Sequence, residues 1–291
     1  MDFDKILFVF GTYGVFFPML FLRNVKAEKV LVLTSRKFIE CISEFHVTFF
    51  KSPTFFREKF FNYFDKIVTL NRASLLMLRS EQNLECELFN IPPTSPCLSK
   101  NKPKRVESRR YILELTNFNP DDFVLFHLGN SHKSRGIESL IDSLVLMQNQ
   151  TVSLLFVWNG IGNIKRIKKK ISHLGLEDRV RIVKDTVDIG KCYTGTDCFI
   201  FPLENPYNIL DYPLALLEAK YYETRIVCSD SQNFRRTLED YPNKVFFEPR
   251  NSQSLSDQIN AISTKQTASY FHNHNHIVKS KLSNFFGEIN G

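Results

Sequence analysis

At 291 residues the chain is long enough for two modest domains, and its 43% hydrophobic and 24% charged residues are typical of a soluble protein. The net charge of +7 favours anionic partners, which include phosphorylated ligands, acidic membrane surfaces and nucleic acid, without choosing among them. The six cysteines contain no CxxC pair, which argues against a disulfide framework and predicts free thiols in a reducing, cytoplasmic compartment.

The N-terminal residues lack the features of an export signal, because MDFDKILFVF has no basic n-region and no small-residue cleavage site. The apolar run from Ile6 to Leu22 is interrupted by glycines and a proline, and another strand-like run follows it. We therefore predict strand Lys5–Phe10, a glycine turn, helix Val15–Arg23 and strand Lys29–Thr34 rather than a membrane span.

An aromatic and basic stretch follows, with seven phenylalanines between Phe49 and Phe64 and basic side chains among them. Such interleaving is compatible with peripheral contact with a membrane interface. It is equally compatible with a helix packed on the sheet, with its lysines at the rim of the buried face. The sequence leaves both interpretations open.

Strand Lys66–Leu70, helix Arg72–Glu81 and strand Glu85–Ile91 complete the N-terminal half. The polar, basic and proline-containing stretch from Ser95 to Arg110 is typical of an interdomain linker. No aromatic stacking platform or groove-reading motif accompanies its charges, which argues against nucleic-acid binding. The sequence therefore predicts a first domain at residues 1–94 and a linker at 95–119.

From residue 120 strands and helices alternate regularly. The predicted strands are Phe123–Leu128, Val152–Trp158, Val180–Val183, Cys198–Leu203, Arg225–Ser229 and Val245–Glu248. The predicted helices are Ile137–Met147, Lys165–His173, Ile189–Thr194, a helix that begins at Pro213, Asn233–Tyr241 and Leu255–Ser263. Six strands with intervening helices predict a doubly wound parallel sheet at residues 120–264.

The tail at residues 265–291 is predicted to be helical in its second part. It contains alternating histidines at His272, His274 and His276, which could share one face of an extended segment and bind a metal. No cysteine or carboxylate nearby completes such a set, so a polar helix start is the favoured interpretation, and no metal site is predicted.

The stretch from Cys198 to Lys220 carries the clearest candidate site. An apolar strand leads into a polar loop, Pro213 stands where a helix can begin, and Glu218 follows within its first two turns. Ligands of parallel α/β folds collect outside the carboxyl ends of the strands. A carboxylate there can accept hydrogen bonds from two neighbouring hydroxyls, as on a ribose, although a solvated helix position explains the same spacing.

The second half resembles the retaining glycosyltransferases of family 4, which have the GT-B fold of two Rossmann-like domains. The similar segments, in chain order, are FVLFHLGNSHKSRGIESLIDSL, LLFVWNGIGNIKRIKKKISHLGLEDRVRIV, TGTDCFIFPLE and DYPLALLEAKYYETRIVCSD. Weaker similarity continues back through KIVTLNRASLLMLRS and NIPPT. The resemblance implies a nucleotide-sugar donor-binding domain at 120–264 and a shortened acceptor domain at 1–94.

The resemblance implies roles for residues on the first two loops of this domain. Gly129 matches the glycine that lets the backbone approach the donor, and Asn130 stands where the family has arginine. Arg135, before Gly136, corresponds to the family's lysine before a glycine, and Lys133 compensates for the missing charge at position 130. The glycine turn after the next strand adds Gly160 to the donor-binding residues.

The resemblance also implies a ribose contact. Glu218 aligns with the second glutamate of the family's Glu–seven residues–Glu motif, whereas the first falls at Leu210, beside Asp211. Some members have an Asp–x–Pro form of this loop, which matches Asp211, Tyr212 and Pro213 and whose backbone amides would hold the diphosphate or sugar.

The chemistry of the basic residues agrees with these implied roles. A diphosphate leaving group gains negative charge as the glycosidic bond breaks, and Lys133, Arg135 and the start of the Gly136 helix would stabilise it, so these two side chains are the catalytic candidates. In a retaining transfer the leaving phosphate can take the acceptor's proton, so neither a carboxylate pair nor a metal or other cofactor is required. A solvated basic turn is the alternative. The GxG at 160–162 lacks the third glycine and acidic partner of a dinucleotide fingerprint, which argues against an NAD enzyme.

Three functions follow from this sequence. The first is an active transferase that uses UDP-, GDP- or another nucleoside-diphosphate sugar and a glycan or lipid-linked acceptor. The second is a donor-binding subunit that a partner chain or a second copy completes. The third is a non-catalytic sugar-nucleotide binding protein, which the departures at Asn130 and Leu210 suggest. The base, the sugar and the acceptor stay open.

Overall fold

The computed structural model describes residues 4–10, 25–33, 60–70, 72–80, 83–91, 102–184, 186–204 and 213–264. In these ranges the chain forms two parallel sheets, one of four strands and one of six, with helices between the strands. The predicted α/β class is therefore confirmed. No helix in the described ranges is long and apolar enough to cross a membrane.

The first sheet follows the order of the chain. Its strands are β1 (Lys5–Phe10), β2 (Glu28–Leu33), β3 (Lys66–Thr69) and β4 (Glu87–Asn90), and helix α1 (Arg72–Arg79) connects β3 to β4. Each strand pairs in parallel with the next, from β1 to β4. All four strands occur where the sequence predicts them, while the predicted helix at 15–23 lies outside the described residues.

The core of the first sheet explains the end of the phenylalanine-rich stretch. Phe60, Phe61 and Phe64 are buried, and Phe8 of β1 packs edge-on against Phe64 with ring centroids 5.3 Å apart. The membrane interpretation is therefore wrong for these three rings, because they stabilise the sheet through buried aromatic contacts. Residues 49–59 of the stretch lie outside the described residues, as do the tail histidines.

The second sheet has the reversed order of a doubly wound fold. Its strands are β5 (Phe123–Gly129), β6 (Val152–Trp158), β7 (Val180–Val183), β8 (Cys198–Phe201), β9 (Ile226–Ser229) and β10 (Lys244–Phe247). They pair in parallel in the order β10-β9-β8-β5-β6-β7. The helices are α2 (Arg105–Thr116), α3 (Ile137–Leu146), α4 (Ile164–His173), α5 (Ile189–Gly195), α6 (Leu214–Tyr221), α7 (Gln232–Thr237) and α8 (Ser252–Ser263).

Both faces of this sheet are covered by helices, which is why its central strands are apolar without alternation. Buried side chains of α3, α4 and α8 pack on one face, and those of α2, α5, α6 and α7 pack on the other. The predicted doubly wound sheet is confirmed, and the helix and strand bounds differ from the prediction only at the ends.

Helix α2 corrects one prediction. The sequence assigned residues 95–119 to a linker, but Arg105–Thr116 form a helix whose Ile112 is buried in the core of the second sheet. Arg105 and Arg109 both pair with Asp197, at N···O distances of 2.6 and 3.0 Å. The basic residues of this stretch thus fix a helix against the second sheet, because they share a carboxylate that is itself nearly buried.

Candidate functional site

The candidate site lies where the strand order of the second sheet reverses. Strand β5 has β6 on one side and β8 on the other, so the chain leaves it in one direction and later returns on the opposite side. The pairing of β5 with β8 ends at Phe126 and Phe199, before either strand ends. Ligands of doubly wound sheets bind in the crevice that such a reversal opens at the carboxyl ends of the strands.

The loops after β5 and β8 meet directly at this crevice. The Glu204 N–H donates to the Ser134 carbonyl at 3.0 Å, and the Ser139 hydroxyl donates to the Glu204 carboxylate at 2.6 Å. Gly136 has a φ of +71°, and a Cβ placed on it would lie 1.6 Å from the Pro202 carbonyl oxygen. Only glycine fits at this position, since it combines a left-handed backbone with this close approach.

Lys133 and Arg135 stand on the short 3-10 turn (Lys133–Arg135) that leads into α3. The Lys133 side chain is exposed and the Arg135 side chain is half-buried, and burial lowers the pKa of Arg135 from its usual value. Among the described residues, neither side chain makes a hydrogen bond or an ion pair. Two cations without counterions, one of them partly removed from water, form a favourable place for an anion.

The start of α3 adds to this positive potential. Gly136 is its N-cap and supplies no side-chain acceptor, so the first N–H groups of the helix have no side-chain cap. Glu138 in the first turn would oppose the effect, but its carboxylate pairs with Arg166 of α4 at 2.5 Å. The Glu138 charge is thus neutralised by Arg166, whereas the charges of Lys133 and Arg135 have no counterion among the described residues.

The loop after β6 supports the loop after β5. The Ser131 N–H donates to the Ile161 carbonyl at 3.0 Å, and the Trp158 indole donates to the same carbonyl at 2.8 Å. The Asn130 carboxamide oxygen accepts from the His132 N–H at 3.1 Å, so its side chain shapes the turn. The Gly160 position faces open space, since a Cβ there would have no neighbour within 4 Å.

On α6, Glu218 is half-buried and has a specific partner. The Tyr193 hydroxyl lies 3.1 Å from the Glu218 Oε2 atom and 3.0 Å from the Ala215 carbonyl oxygen. Burial raises the pKa of the Glu218 carboxyl, and the hydrogen bond from Tyr193 partly opposes that rise. The pKa of Tyr193 is raised well above its ordinary value, first by burial and then by the charge of Glu218. Asp211 and Tyr212 lie outside the described residues.

Two side chains of the site have no sequence prediction. The first is Tyr193, whose helix was predicted but whose contact with Glu218 depends on how α5 packs beside α6. The second is His127, a histidine within the apolar strand β5 that lies 2% exposed at the floor of the crevice. A histidine within an otherwise apolar strand is uncommon, so the sequence alone contains a signal that could have indicated this position.

Comparison with known proteins gives a family and a fold. A family model described as "Glycosyl transferases group 1" matches residues 109–278, which is more than half of the chain. No curated protein matches the chain by sequence. Solved structures with similar folds include a sucrose-phosphate synthase from Thermosynechococcus elongatus, with a TM-score of 0.69 at 15% identity. That match covers 90% of this chain but 65% of the synthase, which is less than two thirds of its length.

Two further solved structures share the fold. HepE from Anabaena, solved in complex with UDP and glucose, has a TM-score of 0.61 at 14% identity, and 89% of each chain is covered. WaaG, a glycosyltransferase involved in lipopolysaccharide biosynthesis, has a TM-score of 0.62 at 13% identity, over 82% of this chain and 66% of WaaG. These similarities agree with two parallel sheets arranged as in GT-B proteins, and the sequence match confirms the predicted family: the chain belongs to the glycosyl transferases group 1 family.

Proposed function

We propose that the chain transfers a sugar from a nucleotide-sugar donor, with UDP as the nucleotide, to an acceptor with retention of the anomeric configuration. The observation that carries the proposal is the pair Lys133 and Arg135, whose charges have no counterion among the described residues and stand at the reversal point of the second sheet. Family membership supports the reaction class and its retaining outcome. UDP is supported by HepE, which has been solved with UDP and with UDP-glucose.

The cationic turn would act on the leaving group. As the bond from the sugar to the diphosphate breaks, negative charge grows on the phosphate oxygens, and Lys133 and Arg135 stabilise that charge without having to leave another partner. Because Arg135 is partly desolvated, its attraction to phosphate is less screened than at an open surface. The leaving phosphate takes the acceptor's proton as the acceptor attacks from the same face.

Glu218 would hold the ribose of the donor. Its carboxylate has one oxygen within reach of the Tyr193 hydroxyl, and the other oxygen is available for ribose hydroxyls. In the described residues no three His, Cys, Asp or Glu side chains converge as metal ligands would. The acceptor, glycan or lipid, and the cytoplasmic location stay predictions.

The proposal is tested by calorimetric titration of the purified chain with UDP, GDP and ADP in buffer without added metal. We expect UDP to bind, and the variant Lys133→Ala/Arg135→Ala to bind it at least about 100-fold more weakly, because two charge-assisted contacts are lost. Lys168→Ala/Lys169→Ala removes the same charge from the exposed face of α4 and should keep the affinity. Absence of UDP binding by the folded chain would overturn the proposal.

Turnover separates the transferase from the alternatives. We expect slow hydrolysis of a UDP-sugar by the chain alone, since water can replace the acceptor. Turnover only after a partner chain is added would favour a donor-binding subunit, and tight UDP binding without turnover would favour a non-catalytic binding protein.

A further inference from the structure

His127 occupies an unusual position at the floor of the crevice. The pairing of β5 with β8 ends at Phe126 and Phe199, and the next residue of β5 reaches across with its side chain. The His127 Nδ1 atom lies 3.0 Å from the carbonyl oxygen of Ile200. A carbonyl can only accept, so Nδ1 carries the proton, and in the neutral ring Nε2 is left as an acceptor.

The Nε2 atom is buried and has no hydrogen-bond partner within the described ranges. A Cβ placed on Gly129 would lie 3.6 Å from Nε2, so the ring lies on the same face of β5 as the side-chain position that Gly129 leaves empty. A buried acceptor without a partner destabilises the fold, and buried polar groups are paired in most native structures. The position therefore calls for a donor.

Arg135 is the donor that the crevice offers. The next residue, Gly136, lies against the Pro202 carbonyl, two residues beyond the Ile200 carbonyl that His127 contacts, so the Arg135 side chain starts close to the ring. The lowered pKa of His127, which burial and the charge of Arg135 both favour, agrees with this placement. The guanidinium carries five N–H donors, of which a phosphate uses two, and none is bound to another described residue. Of the two cations on this turn, Lys133 is exposed and Arg135 is half-buried, so Arg135 is the one placed to meet a buried atom.

We propose that His127 is a positioning residue, whose Nε2 atom accepts a hydrogen bond from Arg135 and directs the remaining N–H groups of Arg135 toward the donor phosphate. This inference rests on the proposed function, because it is the diphosphate that gives the orientation of Arg135 a consequence. The neutral imidazole suits the role, since a protonated ring would repel the guanidinium and could not accept.

The test is a double-mutant cycle on UDP affinity, measured by calorimetry. We expect His127→Phe to weaken UDP binding about 5- to 20-fold and His127→Gln to restore most of the affinity, because the amide can donate to Ile200 and accept from Arg135. In the Arg135→Ala background, His127→Phe should have no further effect. Equal losses in both backgrounds, or unchanged affinity in a folded His127→Phe protein, would overturn the proposal. His127→Leu replaces His127→Phe if the larger ring prevents folding.

A ligand-free measurement keeps this inference separate from the proposed function. In the chain labelled with ¹⁵N histidine, the Nε2 resonance of His127 should differ between wild type and Arg135→Ala, with and without pyrophosphate. Identical resonances in all four samples would overturn the role of His127 even if UDP binds. A difference in resonance in a chain that fails to bind UDP would instead retain the contact and reject the donor site.

Discussion

The charged side chains on the two sides of the crevice are positioned differently. One side is the turn after β5, which carries Lys133 and Arg135, and the other is helix α6, which carries Glu218. On the β5 side, close backbone contacts fix the turn of Lys133 and Arg135, and the side chains themselves are left without partners among the described residues. On the α6 side, a side chain holds the charge, because the hydroxyl of the buried Tyr193 lies 3.1 Å from Glu218. The backbone contacts on the β5 side therefore leave the two cationic side chains available for a ligand. The Glu218 carboxylate is instead positioned by the Tyr193 hydroxyl, and its partial burial disfavours the ionised form.

The largest effect is expected from a substitution that disrupts the close backbone contact between the turn after β5 and the loop after β8. Gly136→Ala should destabilise the protein by about 3–5 kcal/mol, because the added Cβ would meet the Pro202 carbonyl oxygen at 1.6 Å in a left-handed backbone. Gly160→Ala is the matched control: its φ is +87° but no atom lies within 4 Å, so strain alone should cost about 1–2 kcal/mol. Urea denaturation of both variants measures the difference. Similar losses of stability in the two variants would show that the loop after β8 moves away from the added Cβ at little energetic cost.

The sequence predicts the second sheet well because its signals are local. Buried parallel strands appear as short apolar runs, and glycines and polar loops mark where each run ends. The first two turns of α6 were also predicted, but Pro213 is its N-cap rather than its first residue, which a boundary error of one residue explains. Helix α2 was missed since its arginines look solvated until Asp197 is placed beside them.

The candidate site was only partly predictable, because only some of its contacts lie within one short segment of the chain. Gly136 and the basic residues before it stand in one short segment, so the pattern alone indicates a tight turn with a positive charge. The partners of Glu218 and His127 come from elements far along the chain, at Tyr193 and Ile200. Such contacts depend on the strand order, which a pattern of residues specifies only as a fold class.

The second test uses the pH dependence of stability to probe His127, the buried histidine of β5. Burial, with a smaller effect of Arg135, lowers the pKa of His127 from its usual value near 6.5 to about 4. The unfolded chain therefore binds a proton at His127 more readily than the folded chain, and stability falls as the pH drops below 6.5. Between pH 7 and pH 4 this group should remove about 3 kcal/mol from the free energy of unfolding.

The control for this test is His127→Gln, which does not titrate and can still donate to the Ile200 carbonyl. Urea denaturation at pH 7, 5.5 and 4 should show that wild type loses more stability than the variant. Parallel losses in the two proteins would mean that folding leaves the pKa of His127 unshifted, which would contradict a buried neutral ring that accepts from Arg135.

The smallest expected effect tests the side-chain arrangement around Glu218. Glu218→Gln should weaken UDP binding by about 1–3 kcal/mol, because the charge-assisted hydrogen bonds to the ribose are lost. The same change should leave the free energy of unfolding at pH 7 equal or higher, since burial raises the pKa of Glu218 and the ionised carboxyl is disfavoured in the fold.

Tyr193→Phe sharpens that comparison, because it keeps the ring and deletes the hydroxyl that lies against Glu218. Without this hydrogen bond the pKa of Glu218 should rise further, so UDP affinity should fall as the pH drops toward that pKa, and the fall should begin at a higher pH than in wild type. Glu218→Gln has no carboxyl to titrate and should lose this part of the pH dependence. If UDP affinity in Tyr193→Phe follows the wild-type pH profile, the hydroxyl does not position the carboxylate. The α6 side would then resemble the β5 side, with a charge held by the backbone alone.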